Sequence, residues 1–176
     1  VALAAVVIHD VAVTGASATP LSGGVGTIVT IAATVQNQGT QAETFDVKAY
    51  AGTILVGTQT VTSLVAGASQ SLTFSWDTSA VAPGSYPVKV DAAAVTGETD
   101  LADNSFSDGT VTLTAVVHDV AITAASASPL SATVGTSVTI SATAANLGTQ
   151  AESFAVTAYA GAIVVGTKTV SNLAAG

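Results

Sequence analysis

The amino-acid sequence predicts an all-β fold in which short strands pack into two-layered sandwiches. Three observations predict it. Apolar and polar residues alternate with a period of two along most of the chain. The β-branched residues Val and Thr dominate these alternating runs, and clusters of Gly, Pro, Asn and Asp separate them as turn signals. No segment has a convincing helical periodicity.

Seven strands are predicted in the first part of the chain, and their inward faces follow from the alternation. In the fifth strand Leu72, Phe74 and Trp76 alternate with polar residues, which places the sole Trp in the core. Seven short strands in about 109 residues are typical of an immunoglobulin-like sandwich. The predicted ranges are 7–14, 27–36, 43–51, 53–61, 69–77, 85–92 and 110–115, the last preceded by an Asp108-Gly109 turn.

An internal repeat extends this pattern to the rest of the chain. Residues 7–67 align without a gap with residues 116–176, and about 41 of the 61 aligned positions are identical. Such similarity indicates a recent duplication, so a longer array of repeats is expected. The full fold prediction is therefore tandem seven-stranded immunoglobulin-like β-sandwich domains, the second of which is incomplete.

The repeat also predicts the domain boundaries. Residues 7–115 form a complete domain and residues 116–176 the first half of a second, homologous domain. Residues 1–6 resemble the end of the first domain, so we expect them to be the end of a preceding repeat's last strand, or else an N-terminal donor strand. Val1 as a mature N-terminus is the other alternative. No Gly, Pro or Ser linker separates the two copies, which favours a stiff rod.

Composition excludes several classes of function. The chain has 3 Lys+Arg against 11 Asp+Glu and a net charge of −8, which argues against nucleic acid and against anionic membrane surfaces. Although 49% of the residues are hydrophobic, no apolar run approaches the ~18 residues of a membrane span. Cysteine and methionine are absent, which rules out thiolate chemistry and fits an oxidising, extracellular environment.

The order of short motifs resembles the CARDB family, the cell-adhesion-related domain found in bacteria and archaea. The resemblance covers all of the first copy and the available half of the second. It implies an immunoglobulin-like fold in long surface proteins, often arrayed and sometimes adhesive, without enzyme activity, at the surface of a bacterium or archaeon. The motifs are Asp10-Val-Ala-Val, Pro20, Gly26, Asn37-Gln-Gly39, Phe45-Asp-Val47, Leu64-Val-Ala-Gly67, Phe74-Ser-Trp76, Gly84-Ser-Tyr86, Glu98-Thr-Asp100 and Asp103-Asn104. Family members usually carry more Glu, Lys and Arg on their outer faces, where this chain has Ala, Thr and Ser; this difference favours outer faces that are packed or glycosylated.

An acidic segment precedes the last predicted strand. Five of the 11 acidic residues fall between positions 91 and 108. Carboxylate and amide oxygens at such spacings suit calcium, so Glu98, Asp100, Asp103 and Asn104 are predicted as a calcium site. The alternative is a solvated loop in which these side chains satisfy the amides of turns. No other cofactor is predicted.

A His-Asp pair recurs at both domain junctions, as His9-Asp10 and His118-Asp119. Adjacent side chains of a strand point to opposite faces, so the two are not expected to work as a base and its orienting carboxylate. We predict that all four residues pack at the inter-domain junction. No nucleophile motif accompanies them, and no enzyme activity is predicted.

The leading hypothesis is an extracellular structural repeat protein that forms a cell-surface filament, stalk or fibre. Its domains are expected to join end to end and to associate laterally with other copies, since low charge favours self-association. The strands that the second copy lacks come from its own chain or, by strand addition, from a neighbouring copy. The alternatives are an adhesive or ligand-binding surface module and a non-catalytic appendage of a secreted enzyme.

Overall fold

The computed structural model describes residues 6–176, and it forms two compact units, Val1–Ala115 and Val116–Gly176. Every regular element in the described range is a β-strand, so the prediction of an all-β fold is confirmed. No helix in this range is long and apolar enough to span a bilayer. Val1–Ala5 lie outside the described residues, and the expectation that residues 1–6 end a preceding repeat stays a prediction.

The first unit is a sandwich of a three-stranded and a five-stranded sheet. The smaller sheet has the order β1-β3-β6 and the larger the order β2-β8-β7-β4-β5. All neighbours are antiparallel except β2 and β8, which are parallel. The strands are β1 (Val11–Thr19), β2 (Ser22–Gly24), β3 (Ile28–Asn37), β4 (Glu43–Ala51), β5 (Ile54–Leu64), β6 (Ser69–Asp77), β7 (Gly84–Ala92) and β8 (Ser105–Thr114).

The core lies between these sheets and is built from alternate residues of each strand. In β3 the burial alternates so that Val29 and Ile31 are completely inaccessible to solvent. Trp76 is 4% exposed, as its position in the alternation predicts, and its ring meets that of Tyr86 edge to face with a centroid separation of 5.4 Å. The inward residues are mainly Val, Ile, Ala and Leu with a few aromatics, and these apolar side chains pack into one core cluster.

Several strand boundaries differ from those predicted, and the largest differences are in the first and the last predicted strands. The predicted start of the first strand at Val7 was wrong: the carbonyls of Ile8 and Asp10 accept bonds from the amides of the turn at residues 38–40, and pairing with β3 begins at Val11. The last strand begins at Ser105, not at residue 110. The predicted Asp108-Gly109 turn is instead a bulge within β8, where Thr110 and Asp108 pair with consecutive residues of β7.

The second unit contains four strands, which are the counterparts of β1, β3, β4 and β5. Strands β9 and β10 pair antiparallel, as do β11 and β12. Between the two pairs lies an open groove of about 990 Å³ with a mostly apolar lining that includes Ile140, Val156 and Val170. Ile140 is 39% exposed, whereas its counterpart Ile31 in the first unit is 0% exposed. The strands are β9 (Val120–Ser128), β10 (Thr139–Asn146), β11 (Glu152–Ala160) and β12 (Ile163–Leu173).

Candidate functional site

The connection between β7 and β8, residues 93–104, lies against the start of β1; we call it the acidic loop. The amide of Val13 donates to the carbonyl of Asp103 at 2.8 Å, and the amide of Ala92 donates to the carbonyl of Asn104 at 2.7 Å. One bond joins the loop to the smaller sheet and the other to the larger sheet. The backbone at residues 103 and 104 is therefore held where the two sheets approach each other.

Glu98 connects the acidic loop to β1 through its side chain. Its Oε1 accepts a bond from the amide of Val11 at 2.8 Å and another from Nδ2 of Asn104 at 3.1 Å. Its Oε2 accepts a bond from the amide of Val95 at 2.8 Å. Both carboxylate oxygens of Glu98 thus have N–H partners. This is what is expected if the acidic side chains of the loop satisfy amides of turns, the alternative to a calcium site.

The other predicted calcium ligands differ in their surroundings. Asp100 is exposed, and its Oδ1 accepts a bond from the amide of Ala102 at 3.1 Å. Asp103 and Asn104 each have an Oδ1 atom that is shielded from solvent and has no hydrogen-bond partner among the described residues. Asn104 as a whole is 8% exposed. Of the four predicted calcium ligands, Asp103 and Asn104 therefore each have an unpaired oxygen. Glu98 and Asp100 have oxygens that accept bonds from N–H groups.

Asp10 belongs to the same group of acids. Its Oδ1 is also shielded and without a hydrogen-bond partner among residues 6–176. Burial raises the pKa of Asp10, and the negative charges of Asp103, Glu98 and Asp100 raise it further. Sequence reasoning placed Asp10 at the domain junction and missed this grouping, because 88 positions separate Asp10 from Glu98 and the sandwich topology brings them together.

No cation offsets these charges within the described part of the chain. The ion pair that involves a lysine there joins Lys89 and Asp91 at 2.7 Å, and neither of the histidines contacts the acidic loop's carboxylates. No three His, Asp or Glu side chains among residues 6–176 form a ready-made set of metal ligands. Any metal bound here would need the amide oxygen of Asn104 in addition to carboxylates.

Each of the two histidines contacts a glutamate of its own unit. Nδ1 of His9 lies 2.5 Å from Oε1 of Glu43, and His118 makes the same contact with Glu152. His9 and Asp10 do not pair with each other, and the predicted reason does not apply, because both residues precede β1 and lie outside a strand. The expectation that His9, Asp10, His118 and Asp119 pack at the inter-domain junction stays a prediction.

A buried asparagine at the end of β3 was read from the sequence only as part of a turn. Nδ2 of Asn37 donates to the carbonyls of Gln41 at 2.6 Å and Leu64 at 2.7 Å, and its Oδ1 accepts a bond from the amide of Gly39 at 2.9 Å. Leu64 ends β5 in the larger sheet, so Asn37 joins the two sheets. Its occurrence in both copies was the signal that could have identified it.

The structure thus defines a class: an all-β sandwich of immunoglobulin-like domains with an apolar core and an acidic loop at one end. The model of the CARDB family matches residues 9–108 and 115–176. The chain therefore belongs to the CARDB family, as its motifs indicated, and this family consists of non-catalytic surface modules.

Solved structures resemble about three fifths of the chain. The CARDB domain of the PF1109 protein from Pyrococcus furiosus, in complex with di-metal ions, is 21% identical with a TM-score of 0.50, covering 61% of this chain and 90% of its own. A domain of a protein from Methanosarcina acetivorans, named as a proposed cell surface protein, is 30% identical with a TM-score of 0.47, covering 61% and 93%. The β-glucosidase EmGH1 from Erythrobacter marinus is 19% identical with a TM-score of 0.46, covering 60% of this chain and 16% of its own. No curated protein matches the chain. The resemblance to the CARDB domain of the PF1109 protein confirms the predicted immunoglobulin-like sandwich.

Proposed function

We propose that this chain is a non-catalytic, extracellular structural repeat module that builds a cell-surface filament or stalk by lateral association of its sandwiches. Membership of a family of surface modules supports the surface location. The repeat of the whole strand pattern supports an end-to-end array. The observation that carries the lateral contact is the outer face of the smaller sheet, which has almost no charge.

This uncharged face is formed by the outward residues of β1, β3 and β6. Its rows run across the sheet: Thr30 lies between Thr19 and Ser75, and Ala32 lies between Ser17 and Thr73. The side chains are short and uncharged, and Asp77 at the far end of β6 carries the one charge on these three strands. The second unit repeats this composition on β9 and β10, at Thr139, Ser141 and Thr143 among others.

The outer face of the larger sheet has a different character. It carries Asp46, Lys48, Lys89 and Asp91 on its two central strands, β4 and β7. Both described lysines of the first unit are therefore on this face. The outer faces of the two sheets therefore differ in charge, so a contact that depends on charge would distinguish them.

A second copy of the chain is the partner that the uncharged face fits. Two such faces meet without desolvating a charge and without like-charge repulsion. The chain as a whole has a net charge of −8, so repulsion between copies is lowest where the surface carries no acid. Thr and Ser hydroxyls in regular rows can satisfy one another across the contact by hydrogen bonding.

Charge placed on one face or the other tests the proposal by electron microscopy of the purified chain. The variant Thr30→Lys/Thr73→Lys adds two charges to the uncharged face; the matched control Thr110→Lys/Thr112→Lys adds two charges to β8 on the opposite face. We expect filaments from the wild type and the control, and dispersed particles from the first variant. Filaments from the first variant, loss of filaments in the control, or a monodisperse wild type at high concentration would each contradict the proposal.

A second route of assembly is favoured by the groove of the second unit. In the first unit β6 pairs with β3 and β7 pairs with β4, but no described strand takes these places beside β10 and β11. Strands equivalent to β6–β8 from another copy could occupy them by strand addition. This route buries apolar surface and does not depend on the charge of the outer faces, so the lysine variants would leave it intact.

A further inference from the structure

Three oxygen atoms that have no hydrogen-bond partner among residues 6–176 lie near the start of β1 in the first unit. They are the Oδ1 atoms of Asp10, Asp103 and Asn104, all shielded from solvent. A buried oxygen without a partner costs free energy, more so when it belongs to a carboxylate. Three of them in one region of an otherwise well-bonded domain call for a ligand that interacts with oxygen.

Hydrogen bonds place these three residues in the same region. Oε1 of Glu98 accepts from the amide that follows Asp10 and also from the side-chain amide of Asn104. Asp103 precedes Asn104 and accepts from the amide of Val13 through its carbonyl. The bond from Nδ2 of Asn104 to Glu98 fixes the orientation of the Asn104 side-chain amide. The Oδ1 atom of the same amide has no partner among the described residues.

The charge in this region is strongly negative. Glu98, Asp100 and Asp103 lie near Asp10, and none of the four forms an ion pair with a lysine or a histidine in the described part of the chain. Like-charge repulsion between these side chains and the shielding of the Oδ1 atoms of Asp10 and Asp103 from solvent both cost free energy. A cation among these side chains would relieve both effects.

We propose that the first unit binds a calcium ion between Asp10, Asp103 and Asn104, with their Oδ1 atoms as ligands and Glu98 as a positioning residue. The donors are carboxylate and amide oxygens, the set that calcium prefers, without the nitrogen or sulfur that favours zinc or copper. Two carboxylates and one amide leave further coordination positions for backbone carbonyls or water, as calcium's six to eight ligands require.

The ion would hold the acidic loop against the first strand. Asp10 precedes β1 of the smaller sheet, whereas Asp103 and Asn104 precede β8 of the larger sheet. A ligand that binds the folded state and not the unfolded chain raises the free energy of unfolding. Calcium would therefore stabilise the sandwich at the end where β1 begins. The inference concerns stability and stands apart from the proposed assembly.

The test is calcium titration calorimetry on the full chain after treatment with a chelator, together with thermal melting followed by Trp76 fluorescence. We expect about one ion per chain, with a dissociation constant of about 10⁻⁴–10⁻³ M, the range of extracellular modules. Calcium should raise the melting temperature more than magnesium at the same concentration, because magnesium demands a smaller, more regular shell.

Three substitutions of similar shape identify the site. Asp10→Asn and Asp103→Asn should each weaken calcium binding at least about tenfold, the size of effect seen when even an outer-shell partner is lost. Asp46→Asn removes the same charge from the outer face of the larger sheet, away from the proposed ligands. This control variant should bind calcium like the wild type. In chelator both site variants should melt no lower than the wild type, since they lose repulsion, and this shows that they fold.

Two results would overturn the proposal. Absence of binding heat together with an unchanged melting temperature would mean that water alone satisfies the three oxygens. Equal weakening by all three substitutions would mean that calcium responds to net charge and not to this site.

Discussion

Asn37 and Asn146 make the same three hydrogen bonds at equivalent positions of the two units. Nδ2 of Asn146 donates to the carbonyls of Gln150 at 2.6 Å and Leu173 at 2.9 Å, and its Oδ1 accepts from the amide of Gly148 at 2.9 Å. The second unit lacks counterparts of β6–β8 among its described strands, yet this link between its two strand pairs is intact. The link therefore depends on local residues and not on completion of the core.

Replacing Asn37 by alanine should destabilise the first unit substantially. The substitution removes the donor to the carbonyls of Gln41 and Leu64, whereas the amide of Gly39 keeps its bond to the carbonyl of Asp10. Each buried polar group left without a partner costs about 1–3 kcal/mol. We expect the free energy of unfolding to fall by about 3 kcal/mol, measured by urea unfolding with Trp76 fluorescence, which reports on the first unit. Gln38→Ala changes an exposed neighbour and should leave the midpoint nearly unchanged. A similar small effect for both variants would show that Asn37 does not link the sheets.

Gly39 should tolerate no side chain. A Cβ atom there would collide with the carbonyl oxygen of Ile8 and approach the amide of Asp10 at 3.1 Å. Both are backbone atoms, which cannot move away as a flexible side chain can, so Gly39→Ala should cost about 1–3 kcal/mol. Gly15→Ala is the control, because a Cβ at Gly15 meets nothing within 4 Å. Thermal melting of both variants in the same buffer makes the comparison, and equal melting temperatures would contradict it.

Alternation predicted both ends of two strands, β4 and β6. The observed ranges of β4 and β6 coincide with the predicted 43–51 and 69–77. Their inward residues face one core, and a shift by one residue would expose every apolar side chain. Local sequence therefore determines these strands almost completely, and the same holds for the burial of Trp76.

The features that sequence reasoning missed depend on contacts between distant residues. The start of β1 is set by the turn at residues 38–40, and the bulge at Gly109 by pairing with β7. The short β2 exists through its parallel contact with β8. Asp10 joins the acidic loop only when β1 lies beside β8. None of these has a periodic signal, because the partner lies tens of residues away.

Equivalent isoleucines in the two units should respond differently to the same substitution. Ile31 is 0% exposed and Ile140 is 39% exposed. Ile31→Ala should lower the free energy of unfolding by about 2–5 kcal/mol, through lost burial and the cavity left behind. Ile140→Ala should cost much less, because the groove around it is already open. Chemical unfolding monitored by far-ultraviolet circular dichroism compares the two, and equal losses would show that Ile140 is covered in solution.

Completion of the second unit distinguishes the two routes of assembly. A chain extended after Gly176 by a copy of residues 68–115 supplies strands equivalent to β6–β8 in the order that the first unit uses. These strands should cover Ile140 and its neighbours, so binding of a hydrophobic dye to the groove should fall relative to the original chain. If assembly proceeds through the uncharged faces, filaments of the extended chain should persist in electron micrographs. Their disappearance, with reduced dye binding, would show instead that copies associate by exchanging strands at the groove. Unchanged dye binding would mean that the added strands do not occupy the groove.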